Sequence, residues 1–234
     1  CGGAVCRATT DGAVWIGHLK AKPEHEPSFK LPATRVLAGK LDNIPEIDSG
    51  WQDIRYEEKN RVGYLSFDFY NGAMGSEQCE RLRLACLAAL KRDTRVLVLL
   101  GGEDFWSNGI HLNLIEAADS PADESWRNIN AMNDLTQAIL TGDKLTIAAL
   151  RGNAGAGGVF LALAADQVVA RRGVVFNPHY KAMGNLYGSE YWTYLLPRRV
   201  GAERAREVTE NRLPLGAVQA RDLGLIDACF GDSP

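Results

Sequence analysis

The stretch that most restricts this chain is residues 144–163, "KLTIAALRGNAGAGGVFLAL". An unbroken apolar strand runs into a polar turn, then three glycines within four residues, then an apolar helix. Gly155, Gly157 and Gly158 bring bare backbone to the first turn of that helix. The leading N–H groups of a helix have no intrahelical partner and point outward, so they suit an anion or a carbonyl oxygen that gains negative charge. Glycine lets another group approach that backbone closely. No Asp, Glu, Ser or Cys stands on the turn, so whatever binds here meets its acid or base elsewhere.

The pattern recurs. "RVLVLLGG" (95–102) is continuously apolar, as a strand covered on both faces should be. A loop over 103–109, "EDFWSNG", and a short helix from "IHLNLIEAA" follow. Open α/β folds place ligands at the carboxyl ends of their strands. Two such junctions side by side would supply two backbone N–H groups to one oxygen, an oxyanion hole without side chains. The glycine run does not fit G-x-G-x-x-G, and no Gly-Lys-Ser/Thr follows it, which excludes a Rossmann fingerprint and a P-loop.

Composition narrows the function classes. The 234 residues are 46% hydrophobic and carry a net charge of −3, which suits one large domain, or a domain plus a fragment, and argues against nucleic acid or an acidic membrane surface. No apolar run approaches the roughly 20 residues needed to span a bilayer. Five cysteines, with no CxxC, read as reduced structural thiols of a cytoplasmic protein. His18, His25, His111 and His179 show no metal-ligand spacing, so no metal is expected. The first residue is Cys and no signal-peptide pattern follows, so the chain reads as a piece of a longer one.

Three regions are expected: terminal strands over 1–20 with a turn at Thr10-Asp11-Gly12, a proline-rich linker over 21–50, and a main domain over 51–234. In the main domain two strands flank a turn at Glu58-Lys59-Asn60, and a helix spans 76–93 with Ser76 as its N-cap. Further helices are expected over 124–141, from 188 up to Pro197, and over 202–210, and further strands over 166–172 and 173–176. A short helix and a strand close the chain. "RRVGAERARE" reads as a solvated helix face. His111, beside a candidate N–H donor, reads as lining a ligand channel. Tyr180 reads either as packed or as functional. Glu190, among Tyr187, Tyr191 and Trp192, is either exposed at a helix start or partly buried with a raised pKa.

From Trp51 onward the chain resembles the crotonase (enoyl-CoA hydratase/isomerase) superfamily. "VLVLLGGEDFWSNGIHL", "LTIAALRGNAGAGGVFLALAADQVVA" and "PLGAVQARDLGLIDACF" match three of its elements in order. The resemblance implies an α/β fold, a spiral of ββα units, after a short β-fragment like the end of a formyltransferase C-terminal domain. It implies an acyl-CoA substrate, hence coenzyme A and no metal. It places the oxyanion hole at the backbone N–H groups of Ile110 and Gly157. Ala73, Asn108, Gly109, His111, Leu112, Gly158 and Phe160 would line the acyl-CoA site. The helices that close such pockets normally follow the last strand and are absent from this sequence.

The departures inform as much. The two carboxylates that hydratases use fall here on Phe160 and Tyr180, so water addition across a double bond is not expected. "TTDGAVWIGHLK", "FKLPAT", "FYNGAM", "SNGIHLN" and "NPHYKAMGNLYGSEYWTYLLPRRVG" resemble a subgroup of hydrogenase-maturation proteins. These join a formyl-tetrahydrofolate transferase-like half to a crotonase-like half. That resemblance implies decarbonylation of formyl-CoA, made by the first half, to CO and CoA, the CO serving [NiFe]-hydrogenase maturation. It makes Tyr180 and Glu190 the acid–base residues. The alternatives are other acyl-CoA chemistry (hydrolysis or isomerisation) and a non-catalytic CoA-binding scaffold.

Overall fold

Short antiparallel pairs open the chain. In the computed structural model, which describes residues 2–22, 28–47, 50–180 and 188–231, β1 (Val5–Ala8) and β2 (Ala13–Ile16) flank the expected turn. β3 (His18–Lys20) pairs antiparallel with β4 (Lys30–Pro32), and β4 runs into the short helix α1 (Ala33–Val36). Part of the stretch expected as a linker is therefore regular structure. Three-residue strands are too short to show a period, and Pro32 sits at a strand end, where its missing N–H costs little. The segment is tied to the main domain: the Asn113 amide donates to Lys30 O at 3.2 Å and Arg35 to Ala117 O at 2.7 Å.

The main domain starts with a hairpin, β5 (Ile54–Lys59) and β6 (Val62–Phe67). Its turn falls at Asn60 and Arg61, two residues with φ of 55° and 62°, the left-handed pair that a tight two-residue hairpin needs. β7 (Ala73–Met74) and α2 (Ser76–Leu90) follow. Gly75, not Ser76, is the N-cap of α2: its N–H donates to Gln78 Oε1 at 2.9 Å, while Ser76 Oγ donates to Glu124 at 2.8 Å. Then come β8 (Val96–Leu100), β9 (Phe105–Ser107), β10 (Gly109–Ile110), α3 (Leu112–Glu116) and α4 (Pro121–Leu140). The third turn is β11 (Leu145–Leu150), β12 (Asn153–Gly155) and α5 (Gly157–Leu163). The last elements are β13 (Gln167–Arg171), β14 (Val175–Asn177), α6 (Trp192–Val200), α7 (Ala202–Asn211), β15 (Leu215–Gly216), α8 (Ala217–Asp222) and β16 (Ala228–Phe230). Helix α6 runs through Pro197 instead of ending there, because Leu195, Leu196 and Val200 are buried on both sides of it and packing offsets one missing hydrogen bond.

From β8 onward, β8 and β9, β11 and β12, and β13 and β14 each add one strand to each of two sheets, with helices between them. The large sheet has the order β16-β13-β11-β8-β6-β5, parallel except for the β5–β6 hairpin. The second has the order β15-β14-β12-β9, and β10 pairs with β7 in parallel nearby. Alternate residues of the parallel strands (Leu97 and Leu99, Ala148 and Leu150, Val168 and Ala170) are fully buried. This is the ββα spiral that the family resemblance implied. It sets the start of α5 beside the end of β9, because β9 and β12 are neighbours in the second sheet.

Candidate active site

The two junctions meet backbone to backbone. A Cβ on Gly109 would lie 3.2 Å from Gly157 N, and one on Gly158 would lie 2.0 Å from Ser107 O. Only a glycine fits at 158, where a carbonyl occupies the place of a side chain. Trp106 locks the contact by donating its indole N–H to Gly158 O at 2.9 Å. Ser107 Oγ accepts the Gly109 N–H at 3.0 Å. Ala156, just before α5, has φ 45° and ψ −124°, a conformation that L side chains rarely adopt.

Over this backbone sits a carboxyl group. A Cβ on Gly157 would fall 2.5 Å from Glu190 Oε1 and 2.7 Å from Oε2, so Glu190 lies directly against the first residue of α5. Tyr180 donates its hydroxyl to Glu190 Oε2, and its ring stacks on Phe160 with centroids 5.4 Å apart. Trp192 flanks Phe160 at 6.2 Å. Glu190 is 1% exposed and Phe160 is wholly buried. Of the two readings of Glu190 in the sequence, the structure selects the buried one.

Burial raises the Glu190 pKa, against the hydrogen bonds from Tyr180 and Ser189 that favour its ionised form. Burial, then the Glu190 charge, pushes the Tyr180 phenol well above its usual range. Tyr180 therefore stays a proton donor, and the carboxyl is the member of the pair that ionises first. Glu190 and Tyr191 both have positive φ, 55° and 54°. Such backbone costs of order 1–3 kcal/mol per residue and persists where the surroundings impose it.

The remaining predicted residues spread around this centre. Ala73 pairs with Gly109, and Met74 with Ile110, in the β7–β10 ladder. Asn108 is exposed, and its amide donates to Asn71 O at 2.8 Å. Leu112, 49% exposed, opens α3 towards solvent. His111 caps α3: its Nδ1 accepts the Leu114 N–H at 3.3 Å, which leaves the proton on Nε2, and burial lowers its pKa. The sequence "KAMGNLY" between Tyr180 and Gly188 lies outside the described residues. Among the described residues, no cluster of His, Cys, Asp and Glu could hold a metal ion, and no helix is long and apolar enough to cross a membrane.

Three residues make contacts that had no signal in the sequence. Asn133 on α4 accepts the Glu190 N–H at 2.7 Å. Asn128 on the same helix, fully buried, accepts the His111 N–H at 3.1 Å and donates to Met74 O at 2.8 Å. His18 of β3 stacks on Tyr70 at 4.4 Å and faces His111 at 6.1 Å.

Similarity to known proteins agrees with this geometry. A family model described as enoyl-CoA hydratase/isomerase matches residues 76–233. The hydrogenase maturation factor HoxX of Bradyrhizobium diazoefficiens is 58% identical over 97% of this chain and 40% of that protein. The crystal structure of HypX from Aquifex aeolicus in complex with tetrahydrofolic acid is 53% identical, with a TM-score of 0.92 over 99% of this chain and 43% of that one. An enoyl-CoA hydratase from Thermoplasma volcanium GSS1 is 27% identical, with a TM-score of 0.69 over 77% of this chain and 72% of that one. The chain thus spans about two fifths of the length of the first two relatives. It belongs to the enoyl-CoA hydratase/isomerase family, the crotonase superfamily that its two glycine junctions resemble.

Proposed function

We propose that this chain, as part of a longer cytoplasmic hydrogenase-maturation protein, converts formyl-CoA to CO and CoA. Membership of the enoyl-CoA hydratase/isomerase family supports activity on a CoA thioester. The high identity to a hydrogenase maturation factor, and to a HypX solved with tetrahydrofolic acid, supports a formyl-tetrahydrofolate transferase-like half as the source of the formyl group. The CO would become a ligand of [NiFe]-hydrogenase. The observation that carries the reading is the buried Tyr180–Glu190 pair laid on the Gly157 backbone.

Formyl-CoA has no α-carbon, so enolate chemistry is closed to it. The Ile110 and Gly157 N–H groups polarise the formyl oxygen. Glu190 accepts the formyl proton. The electron pair left on carbon completes CO as the C–S bond breaks with its electrons on sulfur. The thiolate takes a proton back through the Glu190–Tyr180 hydrogen bond. One thioester gives one CO and one thiol, and nothing is oxidised or reduced. Phe160, stacked beneath Tyr180, keeps water from the carbonyl and so suppresses hydrolysis to formate. Ala73, Asn108, Gly109, His111, Leu112 and Gly158 line the path of the CoA arm.

The test is the full-length protein with formyl-CoA, the gas being trapped as carbonmonoxy-haemoglobin. CO and free CoA in equal amounts support the reading. Formate in place of CO would make the site a thioesterase, and unconsumed formyl-CoA would leave a binding domain.

A further inference from the structure

Helix α4 carries two asparagines five residues apart, and each grips one side of the candidate site. Asn128 joins the ends of β7 and β10 through Met74 O and the His111 N–H. Asn133 Oδ1 accepts the Glu190 N–H at 2.7 Å. An N–H only donates, so the oxygen of the Asn133 amide must face it. The bond is made to a residue with φ of 55°, followed by another at 54°. A non-glycine residue in that region relaxes to negative φ unless its neighbours hold it. Relaxation here would turn the Glu190 side chain away from Gly157, whose absent Cβ marks a point 2.5 Å from Oε1.

We infer that Asn133 is a positioning residue: by accepting the Glu190 N–H it holds the left-handed backbone that lays the Glu190 carboxyl on the Gly157 backbone, while Asn128 fixes the facing strands from the same helix. The inference rests on Glu190 being the proton acceptor proposed above. Among the described residues, the groups that face the carboxyl are the Tyr180 and Ser189 hydroxyls, and the Cys79 thiol of α2, buried and close enough to feel its charge. Asn133 adds a hydrogen-bond acceptor from α4 without adding charge.

Two variants of the full-length protein separate positioning from packing. Asn133→Leu removes the acceptor at similar volume. The kcat for CO formation is expected to fall on the order of 10²-fold, with KM for formyl-CoA within about twofold. Asn133→Asp keeps an acceptor and adds a negative charge beside Glu190. The rate should recover at alkaline pH, with the acid limb of the pH–rate profile displaced upward, because a second carboxylate disfavours ionised Glu190. A residue that merely filled space would keep its kcat in Asn133→Leu, which preserves the volume. Wild-type kcat in Asn133→Leu, or an unmoved limb in Asn133→Asp, would overturn the inference. A third readout is independent of the reaction: the infrared carboxyl band of protonated Glu190, identified by its loss in Glu190→Gln, titrated in the ligand-free protein. Asn133→Asp should raise its midpoint, and an unchanged midpoint overturns the positioning role. A raised midpoint in a protein that makes no CO would overturn the proposed reaction alone.

Discussion

The two glycine junctions look alike in the sequence and are built differently. The first, from β8 to α3, keeps polar side chains and spends them on its own backbone: Ser107 holds the Gly109 N–H and His111 caps α3. The second, from β11 to α5, has no polar side chain on the turn between Gly155 and Gly158, and every residue of α5 is buried. What fills its missing side-chain positions comes from elsewhere: the Ser107 carbonyl at Gly158 and the Glu190 carboxyl at Gly157. The first junction is a self-supporting frame. The second is a mould for groups delivered by the first junction and by the start of α6. A carboxyl group thus reaches the glycine turn from a residue more than 30 positions later in the chain.

The sharpest way to break that contrast is Gly158→Ala. The new Cβ would lie 2.0 Å from a backbone carbonyl that cannot swing aside, so a loss of several kcal/mol and of most soluble protein is expected in denaturant melts. Gly157→Ala meets the end of a flexible side chain instead. It should fold, with Glu190 displaced and CO formation lost. Equal destabilisation by the two substitutions would erase the distinction between frame contact and mould.

Removing the delivered groups comes next. Tyr180→Phe and Glu190→Gln should each lower the rate of CO formation by about 10²–10⁴-fold while CoA affinity, measured by calorimetry, stays within about twofold. Affinity falling in step with rate would make the pair structural. Glu190→Gln should also raise stability at neutral pH. The carboxyl pKa is higher folded than unfolded, so ionising Glu190 penalises the folded state. That penalty is absent below the unfolded value of about 4.5, grows as pH rises through it towards the folded value, and is then constant. The gain from Glu190→Gln is therefore expected to be larger at pH 8 than at pH 4.5 in paired melts, and an opposite trend would contradict a buried, raised carboxyl.

The smallest effect lies where the N-terminal segment meets the first junction. Burial, then the charges of His111 and Lys30, lowers the His18 pKa to about 4 from 6.5. The unfolded chain binds the proton more readily, so this group weakens the fold as pH falls from about 6.5 to 4 and has no effect above that window. His18→Phe keeps the ring on Tyr70 and should flatten that part of the stability profile in urea unfolding. An unchanged profile would detach His18 from the contact.

The two junctions were legible because their signals are local, and the spiral came from the family resemblance that those junctions carry. Continuous apolar strands ended by glycines at 101–102 and 155–158 announce both junctions, and a hairpin and amphipathic helices surround them. Tyr180 and Glu190 could be named from resemblance, but the sequence left Glu190 open between exposed and buried, since a polar residue among aromatics fits either. Its left-handed backbone and its contact with Gly157 depend on tertiary packing that no local pattern encodes. Asn128 and Asn133 were silent for the same reason: an asparagine on an amphipathic helix reads as surface until its partner, 17 or 57 residues away, is in place. Residues 30–36 were hidden by brevity, as strands of three residues have no period.

The central claim is that the Glu190 carboxyl, held over Gly157, takes the proton from a formyl thioester. Single-turnover CO release from formyl-CoA by the full-length protein and by its Glu190→Gln variant, each followed by haemoglobin absorbance, tests it most directly. One CO per bound thioester is expected from the wild type, and a rate about 10²–10⁴-fold lower from the variant at unchanged CoA affinity. CO released by Glu190→Gln at the wild-type rate would contradict it.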